Sequence, residues 1–253
     1  MAAAAPQWLI ERPIAHRGLH DTSRGIVENT IDAALAAAAA GFAIECDVQA
    51  SADGEAVVFH DDALQRLTRE KGPVRDRSAA ELAKIAFKVG SSAIPTFSQF
   101  LQAVAGRVPI ICEIKSKFDG DLRLVERVAA LAADHHGPLA IKSFDPAVIA
   151  HLRATLLAGG RPLGIVAQAA FPPAEWPSLT PKQRADCTNF LHYFATRPDF
   201  LSFRVDDLPH PAPFLLRGLV GVPVMAWTVR TSEQRRRAAQ WADQVIFEGD
   251  AAL

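Results

Sequence analysis

The chain has 253 residues, of which 49% are hydrophobic, so a sizeable core can form in one large domain or two small ones. Its 27 Lys and Arg residues nearly balance 28 Asp and Glu residues, and this gives no support for nucleic acid or an acidic membrane surface as partner. The three cysteines lack metal-ligand spacing and do not indicate a disulfide framework.

The amino-terminal segment MAAAAPQWLIERP has no basic stretch before its short apolar part, so we expect no signal peptide. The alanine-rich run from Ala33 to Ala40 is too short to cross a bilayer and is typical of a helix packed closely on a sheet. We therefore expect no transmembrane segment and a cytoplasmic location. The sequence leaves the oligomeric state open.

Short apolar segments alternate with helical segments along the chain. We expect strands near residues 13–16, 42–48, 109–114, 138–143, 162–167, 200–205, 222–228 and 244–248. We expect helices near residues 30–40, 122–134, 146–158, 182–194 and 231–241. This alternation predicts an α/β fold, a (β/α)₈ TIM barrel. A doubly wound open sheet is the alternative, but the chain shows no Gly-rich phosphate loop to support it.

One interval between the second and third predicted strands breaks the alternation. Asp53-Gly54 is a hairpin signal, so the chain should return antiparallel through residues 56–60 and bring His60 back toward the second strand. We expect an insertion at about residues 51–108, over the barrel mouth, within one domain that covers residues 1–253. Helices near 78–86 and 97–105 would belong to this insertion.

A second long excursion, residues 168–199, follows a predicted strand at the carboxyl face where barrel active sites lie. It carries several aromatic residues: Phe171, Trp176, Phe190, Tyr193 and Phe194. They can serve as loop packing or as a substrate wall, and the sequence does not decide between these.

The acidic residues at two strand ends are the strongest functional signal. Side chains alternate between the two faces of a strand, so Glu45 and Asp47 share a face, as do Glu113 and Lys115. Clustered carboxylates are costly to desolvate unless a cation or hydrogen bonds compensate them. Oxygen ligands suit Mg²⁺, Ca²⁺ or Mn²⁺ better than Zn²⁺. The pattern therefore predicts a hard-cation site.

Two histidines stand beside this pattern, His16 in the segment AHRG and His60 in VVFHD. Histidine has an unperturbed pKa of about 6.5, which suits proton transfer near neutral pH. The remaining histidines are expected to be structural or solvent-facing: His20, His135, His136, His151, His192 and His210.

The succession AHRG, ENT, ECDV, SADG, VVFHD and CEIK resembles the glycerophosphodiester phosphodiesterase family. The match is dense over residues 14–68, recurs at 110–116 and returns faintly at 143–144 and 226–229. The resemblance implies a (β/α)₈ barrel with an insertion after the second strand. It also implies hydrolysis of a small-molecule glycerophosphodiester to an alcohol and sn-glycerol 3-phosphate.

The matching positions imply roles for individual residues. Glu45, Asp47 and Glu113 correspond to the ligands of a divalent cation, Mg²⁺ or Ca²⁺, with Mn²⁺ as a third candidate. His16 and His60 correspond to the general acid–base pair.

The resemblance extends to residues that would contact the substrate. Arg17 and Lys115 correspond to the cations that hold the phosphate, Asn29 lies in the matching ENT motif, and Trp227 corresponds to a residue that lines the site. The family commonly shows Thr-Asp-x-Pro at the last strand, where this chain has the segment 247–250, FEGD. Because of this difference, the substrate contacts that the family makes at this edge of the barrel do not transfer to this chain, whereas the predicted metal ligands are unaffected.

Several alternatives remain open at this point. Within the hydrolase hypothesis, a lysophospholipase D-like activity on single-chain lipids would use the same chemistry, and the headgroup preference is not fixed. A barrel aldolase with Lys115 as Schiff-base nucleophile and a non-catalytic phosphodiester- or lipid-binding barrel are the competing classes. Which histidine is the acid, and whether water or a substrate hydroxyl attacks, is also open.

Overall fold

The computed structural model describes residues 5–155 and 157–249. The strands are β1 (Ile14–Ala15), β2 (Ala43–Ala50), β3 (Ala56–Val58), β4 (Ile110–Ile114), β5 (Leu139–Ser143), β6 (Leu163–Ala167), β7 (Phe200–Arg204), β8 (Val224–Val229) and β9 (Gln244–Phe247). The α-helices are α1 (Ile31–Ala39), α2 (Ala79–Leu82), α3 (Phe97–Val104), α4 (Arg123–Asp134), α5 (Pro146–Thr155), α6 (Pro181–Thr188), α7 (Tyr193–Thr196), α8 (Pro211–Leu215) and α9 (Ser232–Trp241). Single 3₁₀ turns lie at Gln7–Leu9, Thr22–Arg24, Leu64–Arg66, Val74–Asp76 and Val205–Asp207, and a π-helical turn, Leu216–Val220, follows α8.

The strands form a closed parallel barrel. Their order is β1-β9-β8-β7-β6-β5-β4-β2, and β1 also pairs with β2, which closes the ring. Every pairing within the ring is parallel, whereas β3 pairs antiparallel with β2 outside it. The predicted TIM barrel is therefore confirmed. The helix expected at 182–194 is instead two short helices, α6 and α7, with a break between them.

The lower half of the barrel interior is filled by buried apolar side chains from seven strands and from the segment before β1: Leu9, Ile14, Ala43, Ile111, Ala140, Phe200, Met225 and Ile246. Phe200 takes the space that Gly164 leaves open, since a Cβ at that glycine would lie 2.3 Å from the Phe200 ring. Leu9 is 1% exposed and seals this end. Polar chemistry is therefore confined to the opposite, carboxyl end of the strands.

Helix α3 belongs to the outer ring of the barrel. Its apolar residues Phe97, Phe100, Leu101 and Val104 are buried in the main cluster between strands and helices, and the helix packs against α1 and α4. The expectation that residues 97–105 lie over the barrel mouth is therefore wrong. The strongly one-sided distribution of apolar residues is what turns this helix toward the barrel wall.

The hairpin after β2 forms where Asp53-Gly54 predicted it. Val48 pairs with Val58 in the antiparallel register, and the Phe59 amide donates to the Asp47 carbonyl at 3.0 Å. This return places the next residue, His60, beside the carboxyl end of β2. The rest of the excursion forms a small apolar cluster together with Val27, which lies between β1 and α1: Val27, Val57, Phe59, Leu64, Val74, Leu82, Phe87 and Ile94. Among the described residues, no helix has the length and apolar character needed to cross a membrane.

Candidate active site

Three carboxylates meet inside the carboxyl end of the barrel. Glu45 and Asp47 lie on β2 and Glu113 lies on β4, where the strand register sets it opposite Asp47. One carboxylate oxygen from each residue lies within 4.8 Å of the others. All three residues are buried. The structure thus brings together the acidic residues that strand alternation grouped in the sequence.

Two lysines lie among these carboxylates. Lys115 Nζ is 2.8 Å from Asp47 Oδ1 and 2.7 Å from Glu113 Oε1. Lys142 Nζ, from β5, is 3.0 Å from Glu45 Oε1 and 3.0 Å from Glu113 Oε2. Sequence reasoning missed Lys142. The available signal was a lysine at the end of the apolar strand LAIKS, in a neighbouring strand where the register pairs it with Glu113.

Ion pairs shift the pKa values of Asp47, Glu113 and the two lysines. Burial alone would raise the pKa of Glu113, yet Lys115 and Lys142 lower it to about 2. Burial is likewise outweighed at Asp47, whose pKa Lys115 holds well below its usual range. The carboxylates raise the pKa of both lysines in spite of their burial. A Schiff-base nucleophile must be unprotonated, so this environment argues against the aldolase alternative.

Residues of the segment after β1 form hydrogen bonds and ion pairs with the acidic cluster. The Arg17 amide donates to Glu45 Oε2 at 3.1 Å, and its guanidinium donates to Glu28 at 2.6 Å and lies 3.3 Å from Asp47. The Asn29 side-chain amide donates to Asp47 Oδ2 at 2.9 Å, while its oxygen accepts from the Asp47 amide at 3.1 Å. Because Asn29 is 1% exposed, this geometry favours a role in positioning Asp47 over direct contact with a substrate.

His16 is held by a carboxylate from the other end of the chain. Its Nδ1 lies 2.5 Å from Glu248 Oε1, and its Nε2 is 3.9 Å from Glu45 Oε2. Arg230 donates to the same Glu248 carboxylate from Nε at 2.6 Å and from Nη2 at 3.1 Å. Although burial opposes it, His16 and Arg230 hold the pKa of Glu248 far below its usual range. Glu248 lies in the segment where this chain differs from the family's usual Thr-Asp-x-Pro motif, and it serves here as the partner of His16. Asp250 lies outside the described residues.

His60 has an equivalent partner in the adjacent residue. Its Nδ1 lies 2.7 Å from Asp61 Oδ1. Arg66 binds Asp61 and also donates to both oxygens of Glu28, at 2.9 and 2.7 Å. Glu28 in turn accepts from Arg17. A continuous network of ion pairs therefore fixes His60 relative to the acidic cluster.

Both histidines, the two lysines and two of the three carboxylates line one cavity of about 340 Å³ at the barrel mouth. Its lining residues are His16, Arg17, Asp47, His60, Glu113, Lys115, Lys142, Phe144, Val166, Gln168, Glu175, Arg204, Asp206, Trp227, Thr228 and Arg230. The Trp227 indole donates to the Ser202 carbonyl at 2.9 Å, which fixes the ring in the cavity wall. The six other histidines do not line this cavity.

The second excursion contributes an aromatic layer behind this wall. Phe171 and Trp176 pack with Phe144, with ring centroids 6.3 and 4.8 Å from its own. Phe144 also packs edge-on against Trp227, at 5.6 Å. The excursion therefore supports the cavity through Phe144, whereas Phe194 is 81% exposed.

Comparisons with known proteins agree with this geometry. The model of the glycerophosphoryl diester phosphodiesterase family matches residues 16–248. A glycerophosphodiester phosphodiesterase from Caldanaerobacter subterraneus subsp. tengcongensis is 30% identical over 165 residues, 57% of this chain and 65% of that protein. One from Bacillus altitudinis is 37% identical over 112 residues, 41% of this chain and 44% of that protein. The matched segments thus span less than two thirds of these relatives.

Solved structures share the whole fold. A phosphodiesterase from Oleispira antarctica, solved in complex with the product sn-glycerol-3-phosphate, superposes with a TM-score of 0.76 at 21% identity, covering 96% of this chain and 95% of that one. A glycerophosphodiester phosphodiesterase from Thermotoga maritima superposes with a TM-score of 0.70 at 24% identity, covering 94% of each chain.

Proposed function

Since the chain belongs to the glycerophosphoryl diester phosphodiesterase family, we propose that it hydrolyses glycerophosphodiesters to an alcohol and sn-glycerol 3-phosphate. The observation that carries the proposal is the pairing of two carboxylate-held histidines, His16 and His60, with an acidic cluster in one cavity. The product named in the Oleispira antarctica structure is consistent with this reaction.

The acidic cluster fits a hard divalent cation. Glu45, Asp47 and Glu113 offer only carboxylate oxygens, which Mg²⁺, Ca²⁺ and Mn²⁺ prefer. Such a cation would offset the negative charge of the phosphate and act on it as a Lewis acid. Because Lys115 and Lys142 already pair with these oxygens, a cation held by the three carboxylates would compete with both ammonium groups.

The two histidines divide the proton transfers. Contact of each Nδ1 with a carboxylate leaves each Nε2 free to exchange a proton in the cavity. One histidine takes the proton of the attacking hydroxyl, and the other gives a proton to the oxygen of the leaving alcohol. The attacking group is water, or it is the glycerol 2-hydroxyl, which displaces the alcohol and forms a cyclic phosphate that water then opens to sn-glycerol 3-phosphate. Arg17 and Lys115 hold the phosphate, as a planar fork and as a point charge respectively.

The bond broken gives a direct test of the reaction class. We expect glycerophosphocholine to yield choline and sn-glycerol 3-phosphate, measured by coupling to glycerol-3-phosphate dehydrogenase. Release of phosphocholine instead would contradict the proposal and indicate cleavage on the glycerol side. Phosphorus NMR at early times would reveal glycerol 1,2-cyclic phosphate if the substrate hydroxyl attacks first.

Lys142 should weaken cation binding, because its ammonium lies 3.0 Å from oxygens of two candidate ligands. We expect Lys142→Met to bind Ca²⁺ about tenfold more tightly or better in calorimetry, since like charges at this range repel by more than about 1.4 kcal/mol. The metal-free variant should unfold at lower temperature than the unmodified chain and recover with Ca²⁺. Lys182→Met, at an exposed lysine on α6, is the matched control. Unchanged or weaker Ca²⁺ affinity in Lys142→Met would contradict this role.

A further inference from the structure

Arg204 differs from the other cations of the cavity. Arg17, Lys115, Lys142 and Arg230 each pair with one or more carboxylates. Within residues 5–155 and 157–249, Arg204 has no carboxylate within 4.0 Å and no side-chain hydrogen bond, although it lines the same cavity. The side chain is half-buried at the cavity wall, and an anionic group of a ligand is the partner that its guanidinium can bind there.

Arg204 lies across the barrel mouth from the strand that carries Glu45 and Asp47. It is the last residue of β7, and the register pairs it with Trp227, so both face the cavity. In the closed ring, β7 lies opposite β2, which carries Glu45 and Asp47. A substrate whose phosphodiester lies against β2, held by the cations there, therefore has one of its two ester groups on the side of Arg204.

Two acidic residues line the cavity on this side, and within the described part of the chain neither lies within 4.0 Å of the Arg204 guanidinium. Asp206 accepts from Gln234 at 2.9 Å and lies 3.8 Å from Arg237. Glu175 is exposed on the excursion that follows β6. A guanidinium presents a planar fork that matches a carboxylate in a bidentate arrangement. The Arg204 guanidinium can therefore bind an anionic group of the substrate on the side of the cavity opposite β2.

We propose that Arg204 forms a subsite for an anionic group on the leaving alcohol, so that this chain prefers glycerophosphodiesters whose headgroup carries a carboxylate. The inference rests on the proposed function and specifies its substrate class. Glycerophosphoserine and glycerophosphoethanolamine form a matched pair for it, because their headgroups differ only by one carboxylate.

The experiment measures kcat/KM for both substrates through the sn-glycerol 3-phosphate released. The unmodified chain is expected to favour glycerophosphoserine about tenfold or more, the effect of one charge-assisted bidentate pair. Arg204→Gln should bring the ratio of the two kcat/KM values close to one. Arg204→Lys should give an intermediate ratio, since an ammonium keeps the charge but not the fork. Arg236→Gln, at an exposed position on α9, is the control and should keep the ratio.

Two results would overturn the inference. The first is a ratio near one in the unmodified chain, and the second is an unchanged ratio in Arg204→Gln, which would assign Arg204 to the reacting phosphate or to the surface. Release of sn-glycerol 3-phosphate from neither substrate would instead count against the proposed function. In that case, calorimetric binding of glycerophosphoserine still tests Arg204, and equal affinity in the unmodified chain and Arg204→Gln would contradict the subsite.

Discussion

His16→Ala and His60→Ala are each expected to lower turnover of a glycerophosphodiester by about 10²–10⁴-fold, the usual effect of removing a positioned proton donor or acceptor. Each ring is held at Nδ1 by its own carboxylate, so each presents Nε2 to the cavity in a fixed direction. The double variant should lose less than the product of the two single losses, because residues that act as a unit are not additive. Steady-state kinetics on glycerophosphoethanolamine measure all three effects.

A substrate with a p-nitrophenolate leaving group separates the two histidines. It needs no proton at the leaving oxygen, so the variant without the general acid should regain most of its activity, and the variant without the base should not. His151→Ala, at a half-buried histidine of α5 outside the cavity, is the control. Near-normal turnover of a natural diester by either single variant would remove that histidine from the mechanism.

The sequence was sufficient for the barrel and for the acidic cluster. Strand alternation is a local rule, so the spacing of Glu45 and Asp47 was enough to assign them to one face. The Asp53-Gly54 hairpin signal is also a local pattern, and it was enough to predict that the chain returns and brings His60 back toward β2. Parallel strands share a carboxyl edge, and this places Glu113 near the other two carboxylates.

The partners of these groups were not predictable from local pattern. Glu248 contacts His16 across 232 positions of the chain, and only closure of the ring between β1 and β9 brings them together. In the sequence, Lys142 is simply a lysine within an apolar strand. Its place beside Glu113 depends on the strand register, which the local pattern does not give. Helix α3 was misplaced for the same reason, since its position depends on packing against α1 and α4.

Removal of divalent cations is expected to abolish phosphodiesterase activity. Asp47 and Glu113 stay ionised at neutral pH, because Lys115 lowers the pKa of both. Without a divalent ion, their charge is neutralised by the lysines, and the phosphate loses a counter-charge that a hard cation supplies. Mg²⁺, Ca²⁺ or Mn²⁺ should restore turnover.

Glu113→Gln should require a higher cation concentration for half-maximal activity, since one carboxylate is lost from the cluster. It also removes a partner of both Lys115 and Lys142, so thermal unfolding should be followed with and without Ca²⁺. A folded Glu113→Gln protein with unchanged cation dependence would show that this residue is an ion-pair partner and not a ligand.

We propose above all that this acidic cluster binds the cation on which phosphodiester hydrolysis depends. The most direct test strips the protein with EDTA, removes the chelator, and follows sn-glycerol 3-phosphate release from glycerophosphoethanolamine while Mg²⁺, Ca²⁺ or Mn²⁺ is titrated. We expect no turnover in the stripped protein and saturable recovery with one or more of the ions. Full turnover in a rigorously metal-free sample would contradict the claim and assign the carboxylates to structural ion pairs with Lys115 and Lys142.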